Sequence, residues 1–455
     1  MTGFGLKIWC RMACVAAAIL AAGSASVLAA VADTVSAFKL DNGMDVVVIE
    51  DHRAPVVVHM VWYRIGAADE APGHSGIAHF LEHLMFQGTK DVAPGDLSKI
   101  VAAQGGSDNA FTTQDYTAYF QRVAADRLEL VMKLEADRMH NLNLLQSDVD
   151  TELKVILDER NERTDSDPGA LLTEQMSAAQ YMNQPYGIPV IGWRHEMEQL
   201  TRSDALDFYH ANYAPNNAIL VVAGDVKPDD VLALAKQYYG PIPPSDKIHG
   251  RVRPSEPPQL AERRLVLADG RVAQPYVVRS YLAPQRHSGD QKDAAAMTML
   301  AQLLGGSRAT SVMAKALEFD QKIATYTNAQ YDGVSIDATT FGLVVVPADG
   351  VSLGDAEKAM DGVVVKFLKD GVDPDEFARI KAQVKAQQVY DRDNTQGLAH
   401  HYGMALASGL TVKDVQDWPD ALQAVTADEV MAEAKKVLDR RHAVTGWLTT
   451  EESAL

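Results

Sequence analysis

Two histidines four residues apart, with a glutamate between them, are the first residues in this chain whose types and spacing can do chemistry. They lie in Gly76-Ile77-Ala78-His79-Phe80-Leu81-Glu82-His83-Leu84-Met85-Phe86. Apolar side chains recur there at three- and four-residue spacing, which predicts a helix, with Ser75 placed to cap its start. On a helix, His79 and His83 project from one face and can hold a single metal ion. Glu82 follows His79 by three residues on the same face, close enough to a metal-activated water to take its proton. A helix presenting His-x-x-Glu-His is the inverted form of the zincin metalloprotease motif. Such a match also arises by chance, as the polar face of an ordinary helix, so the rest of the chain has to supply the remainder of a site.

A hydrolytic zinc site needs three protein ligands and one position open to water. The best source of the third is the predicted helix Ser147 to Arg163, with Ser147 as its cap. Glu152 and Glu159 lie seven residues apart in it, two turns, on a face opposite Leu153, Ile156 and Leu157. Cysteine is not available, because Cys10 and Cys14 both fall in an N-terminal segment that reads as a secretory signal. Lys7 and Arg11 open that segment, an Ala-rich apolar run follows, and Ala30-Val31-Ala32 offers a small-x-small cleavage site. Residues 1–32 are therefore read as a signal peptide and the chain as exported and periplasmic, with no stable membrane insertion once the signal is removed.

Ahead of the metal helix, Phe38 to Glu50 reads as a hairpin turning at Asp41-Asn42-Gly43, and Val56 to Ile65 as a third strand. After it, Pro94 to Ala103 reads as a helix. A strand led in by Gly105-Gly106 and its partner Tyr116 to Val123 come next. Helices over Ala125 to Met139 and Arg202 to Tyr213 and a strand over Ala218 to Ala223 complete the first half. Tyr239 to Pro258 is rich in proline and polar residues, the composition of a stiff linker. This divides the mature chain into a domain over 33–239, a linker over 240–260 and a second domain over 261–455.

The second domain repeats the first. Leu200 through Ile219 aligns without a gap on Val425 through Val444, a helix and then a strand in each. On this register Met297, Leu300 and Ala301 occupy the places of His79, Glu82 and His83, so the copy is metal-free. With 455 residues, 47% of them hydrophobic, the chain is long enough for two cores. A formal charge of −19 makes it a poor nucleic-acid binder and favours cationic partners.

Taken together, several segments resemble the pitrilysin/insulinase family of zinc peptidases, and within it the processing-peptidase-like bacterial members. They are the His79–His83 helix ending in Phe86-Gln87-Gly88-Thr89, the run Gly106 to Thr112, the Glu152/Glu159 pair, and Tyr213-Ala214-Pro215-Asn216-Asn217 before an apolar strand. The resemblance implies an α+β fold of two homologous domains, antiparallel sheets packed with helices, joined by the Pro-rich linker and closing as a clamshell around a peptide. It implies a zinc metalloendopeptidase in which His79, His83 and Glu159 bind Zn2+ and Glu82 is the general base. Glu152 would be a further carboxylate near the site that orients a ligand or holds a proton. Asn109 and Ala110 would begin an edge strand to which the substrate backbone adds. Peptides or unfolded segments would be cut in a closed chamber by attack of the zinc-activated water.

The chain departs from the family pattern in its second domain. Members of the family carry there an Arg and, seven residues later, a Tyr that hold substrate from across the chamber; here Glu318 and Thr325 stand in those places, with Arg308 and Tyr326 out of register. A Glu in place of the Arg would repel a substrate carbonyl or carboxylate. The expected form is a heterodimer with a zinc-free homologue supplying the missing pair, with a homodimer as the alternative. A non-catalytic structural or assembly subunit of the same fold is the rival reading.

Overall fold

The computed structural model describes residues 35–391 and 393–450. The segment read as a signal peptide lies outside the described residues. Among the described residues, eleven strands form two sheets. In the first half these are β1 (Val35–Lys39), β2 (Asp45–Glu50), β3 (Val56–Tyr63), β4 (Ser107–Thr112), β5 (Thr117–Ala124) and β6 (Ala218–Gly224). In the second half they are β7 (Arg263–Ala268), β8 (Tyr276–Ala283), β9 (Ala324–Tyr331), β10 (Thr339–Pro347) and β11 (Val444–Thr449).

The helices used below are α1 (Ile77–Leu84), α2 (Asp96–Ala103), α3 (Leu128–Asn141), α4 (Gln146–Arg160), α5 (Pro168–Gln180), α6 (Arg202–Asn212), α7 (Pro228–Tyr238), α8 (Lys292–Gly305), α9 (Leu353–Asp370), α10 (Pro374–Asp391), α11 (Thr395–Ala407), α12 (Val412–Ala424) and α13 (Ala427–Val437).

The first sheet has the order β1-β2-β6-β3-β5-β4 and the second β7-β11-β8-β10-β9. Each is antiparallel apart from one parallel pair, β2 with β6 and β7 with β11. Taking β7 as the counterpart of β2, the second sheet follows the first strand for strand and lacks only a counterpart of β1. The duplication read from sequence is thus a duplication of topology. In the copy, Met297, Leu300 and Ala301 of α8 are buried apolar side chains within the second core.

Each sheet is covered on one face by its own half. Phe80, Leu81 and Leu84 of α1 join Val46, Val61 and Tyr119 in the first core, and Leu300, Leu303 and Leu304 of α8 pack with Phe341 and Leu343 in the second. The opposite faces are exchanged. From the second half, α11 lays Ala399, Tyr402 and Ala405 against Trp62, Val58 and Val221 of the first sheet. From the first half, α5 lays Leu172 and Met176 against Val444 and Leu448 of the second. The contact at Trp62 is so close that a Cβ on Gly403 would come within 2.0 Å of the indole.

Residues 240–262 have no helix or strand, and they are anchored. Arg253 pairs with Asp69 at 2.8 Å and Asp115 at 2.6 Å in the first half and with Asp337 at 3.1 Å in the second.

Candidate metal and peptide site

The start of α1 is built differently from the expectation. Its N-cap is Gly76, in the left-handed region at φ 88°, and no side chain at that position caps it. The carboxylate of Glu70 instead accepts the backbone N–H groups of Gly76 at 2.9 Å and Ala78 at 2.8 Å. It thereby satisfies two of the donors that a helix start leaves without partners, and burial pushes its own pKa up to about 8. Ser75 accepts the Trp193 N–H at 2.8 Å. A side chain on Gly76 would strike the Ile191 carbonyl, 2.6 Å from an ideal Cβ, so glycine is needed both for its φ and for this backbone approach. Ser147 is likewise no cap: α4 starts one residue earlier, with Leu145 at its N-cap.

The helix brings His79 and His83 together with ring centroids 4.8 Å apart and planes at 68°. Glu159, at the end of α4 just before a wide π-helical turn over Asn161–Asp165, points one oxygen at both rings. Its Oε2 lies 3.6 Å from His79 Nε2 and 3.2 Å from His83 Nε2. These distances bracket the edge of about 3.3 Å expected for a tetrahedron with ligand bonds of about 2.0 Å. His79, His83 and Glu159 are the one group of three or more such side chains, among the described residues, with ligating atoms within 4.8 Å of one another. Donor set and spacing therefore fit a zinc ion.

The surroundings fit a cation as well. Three carboxylates, from Glu82, Glu152 and Glu159, stand around the rings, and the Arg163 guanidinium is bonded at 2.6 Å to the other oxygen of Glu159. Burial, with the neighbouring His83 and Arg163, pushes His79 down to about 3, keeping it neutral as a donor must be. Burial also disfavours charge on His83, but the Glu152 hydrogen bond and the acidic neighbours outweigh it and hold its pKa above the usual value.

Glu152 and Glu82 take separate places. Glu152 Oε2 lies 3.3 Å from His83 Nδ1, and its Oε1 accepts Gln87 Nε2 at 2.6 Å. It thus orients one ring from behind, whereas His79 Nδ1 is buried with no hydrogen-bond partner among the described residues. Glu82 is buried beside the rings, and Thr112, the last residue of β4, donates its hydroxyl to Glu82 Oε2 at 2.6 Å. Burial raises the Glu82 pKa, against the pull of the Thr112 hydrogen bond. Asn109 and Ala110 lie in β4, which pairs only with β5 and so forms an edge of the first sheet.

In the second half, Glu318 does not act as a repelling surface charge. It sits in a π-helical turn, Ala314–Asp320, with its side chain 1% exposed. It accepts Thr327 Oγ1 at 2.8 Å and pairs with the exposed Arg308. Tyr326 is exposed on β9, another sheet edge. Sequence reasoning missed Glu70, Thr112 and Gln87; Gln87 and Thr112 lie in the segments named above, but no local spacing signals what they bond.

Known proteins resemble this chain in sequence and in fold. The family profile "Insulinase (Peptidase family M16)" matches residues 45–193, and "Peptidase M16 inactive domain" matches 199–384. The "Zinc protease PqqE" of Helicobacter pylori is 28% identical over 383 residues, 84% of each chain. The crystal structure of a protease from Helicobacter pylori superposes with a TM-score of 0.85 at 26% identity, covering 91% of this chain and 99% of that one. The periplasmic protease PqqL of Escherichia coli shares the fold, with a TM-score of 0.80 at 19% identity over 92% of this chain and 48% of its own.

Proposed function

The chain belongs to the insulinase (M16) family of peptidases, and from that premise we propose that it is a zinc metalloendopeptidase acting on extended or unfolded peptide segments. The observation that carries the reading is the convergence of His79, His83 and Glu159 beside a buried Glu82 whose one oxygen is held by Thr112.

Zinc held by those three side chains would supply Lewis acidity, activating water and polarising the scissile carbonyl. The chain's own residues do the rest. Glu82, with Oε2 fixed by Thr112, takes the proton from the attacking water at Oε1 and delivers it to the leaving amine. Glu152 holds His83 in register. β4 binds the substrate backbone as one more strand through Asn109 and Ala110, reading main chain more than side chain. The two halves, interlocked through α5 and α11, would enclose the peptide in a chamber.

The working form is proposed to pair this chain with a metal-free homologue, outside the cytoplasm in the periplasm. The burial of Glu318 supports the pairing, because the position where the family has an Arg turns inward here. Activity of the chain with and without such a partner tests this, and full activity of the chain alone would support the homodimer instead.

The enzyme reading is tested with an unstructured peptide. The wild-type chain, zinc-loaded and paired if a partner is required, is expected to cleave it, and Glu82→Gln to retain zinc without cleaving. Cleavage by Glu82→Gln would remove Glu82 as the base; a zinc-loaded wild type inert in both states would favour the structural-subunit reading.

A further inference from the structure

A cavity of about 510 Å3 opens where β4 begins, away from the metal ligands, and its lining includes Ser107, Arg122, Val58, Arg53, Asp51 and Asp393. Three of its four charged side chains satisfy one another. Arg53 pairs with Asp51 at 2.8 Å and Asp393 at 2.6 Å, and Asp51 also accepts the Thr395 hydroxyl at 2.6 Å. Arg122 is the exception. It is exposed and makes no hydrogen bond or ion pair with any of the described residues.

Strand register connects this cavity to the catalytic centre. Ser107 lies opposite Arg122, and Arg122 opposite Val58, so all three share one face of the sheet. It is the face on which Phe111 meets Trp62. Thr112 points to the other face, toward Glu82. A peptide added to β4 alternates in the same way, because directly opposed residues share a face. Its side chains opposite Asp108, Ala110 and Thr112 face the catalytic helix. Those opposite Ser107, Asn109 and Phe111 face the cavity side. Ser107 precedes Ala110 by three residues and Thr112 by five, so the peptide reaches the cavity about 10–17 Å from the reacting carbonyl.

We propose that Arg122 is a specificity determinant that binds a carboxylate on the extended substrate, three to five residues from the cleaved bond. The carboxylate is an acidic side chain or the free C-terminus of the peptide. The preference is local and runs against the cationic preference that the overall charge favours. It rests on the peptidase reading above.

The test uses C-terminally amidated, unstructured peptides in which Glu is walked one position at a time along both sides of the cleaved bond, each compared with Gln at the same place. A second series ends at each position in a free carboxylate. With the zinc-loaded full chain, kcat/KM is expected to rise about two- to fivefold at one position, the range for an exposed ion pair. It should fall back at both neighbouring positions, whose side chains face the other way. A gain in the first series identifies an acidic side chain as the ligand, and a gain in the second identifies the C-terminus. Arg122→Gln should bring the Glu/Gln ratio at that position to one, and Arg122→Glu should turn the preference to Lys. A gain that survives both substitutions, or no carboxylate preference in either series, would overturn the proposal. Should no peptide be cleaved, the same walk read as binding to the Glu82→Gln chain by fluorescence anisotropy still judges Arg122. Lack of cleavage then counts against the peptidase reading, and lack of an Arg122-dependent carboxylate preference counts against this one.

Discussion

Thr112 donates its hydroxyl to Glu82 across thirty residues of sequence, 2.6 Å from oxygen to oxygen. Thr117 places its own hydroxyl 3.1 Å from the Ile65 carbonyl and lies 3.3 Å from Thr112 Oγ1. With the Thr117 proton directed to Ile65, the single proton of Thr112 is free for the carboxylate. The strand proposed to bind substrate therefore also aims the proposed base, so that substrate docking and proton transfer would share one element.

Removing that hydrogen bond without changing shape tests the coupling. Thr112→Val should lower kcat about ten- to a hundredfold, roughly 1.4–2.7 kcal/mol of misplaced base, with zinc content unchanged. Thr112→Ser should restore most of it. Steady-state kinetics with metal analysis on the same samples makes the check, and equal loss in both variants would reduce Thr112 to a strand residue.

Glu152 reaches His83 from the side away from Glu159, so its loss should weaken metal binding rather than abolish it. Glu152→Ala is expected to reduce zinc affinity about 10- to 100-fold, as for other carboxylates that orient a ligating imidazole. Competition against a chelator of known affinity measures this. Glu159→Ala should cost more, since it removes a proposed ligand itself.

Glu70 caps the metal helix from outside it. Glu70→Ala leaves the Gly76 and Ala78 N–H groups without their acceptor and should destabilise the chain by about 1–3 kcal/mol. Denaturant unfolding reads the stability, and zinc affinity is expected to fall alongside it.

His59 is fully buried, with Nδ1 2.6 Å from Gln121 and Nε2 2.9 Å from the Tyr239 hydroxyl, and burial holds its pKa below the ordinary value. Its folded-state pKa is depressed, so the unfolded chain binds the proton more readily. The stability His59 contributes is present above about pH 6.5 and is lost as pH falls below it, at up to about 1.4 kcal/mol per pH unit. Urea unfolding of the metal-free chain between pH 5 and 7 should show this slope, and His59→Gln should remove one proton's share of it.

Much of the candidate site was legible because its proposed ligands obey local geometry. His79, Glu82 and His83 are set by one helix, and Glu152 and Glu159 by two turns of another, so spacing alone places each pair on a face. What the sequence concealed is long-range. Nothing near Glu70 or Thr112 tells that one caps α1 and the other holds Glu82. Amphipathic patterns show that α5 and α11 bury a face, but not that each buries it on the other half's sheet. At Glu318, a π-helical turn carries the residue inward to Arg308 and Thr327, so an alignment by spacing puts a charge on the surface that the fold places inside.

Two imidazoles and Glu159 are proposed to hold one zinc ion, and metal counting tests this most directly. Elemental analysis of the purified, zinc-equilibrated chain should find about one zinc per chain in the wild type and in Glu82→Gln, and almost none in His79→Ala, His83→Ala or Glu159→Ala at the same protein concentration. A metal-free wild type, or full occupancy in Glu159→Ala, would contradict it.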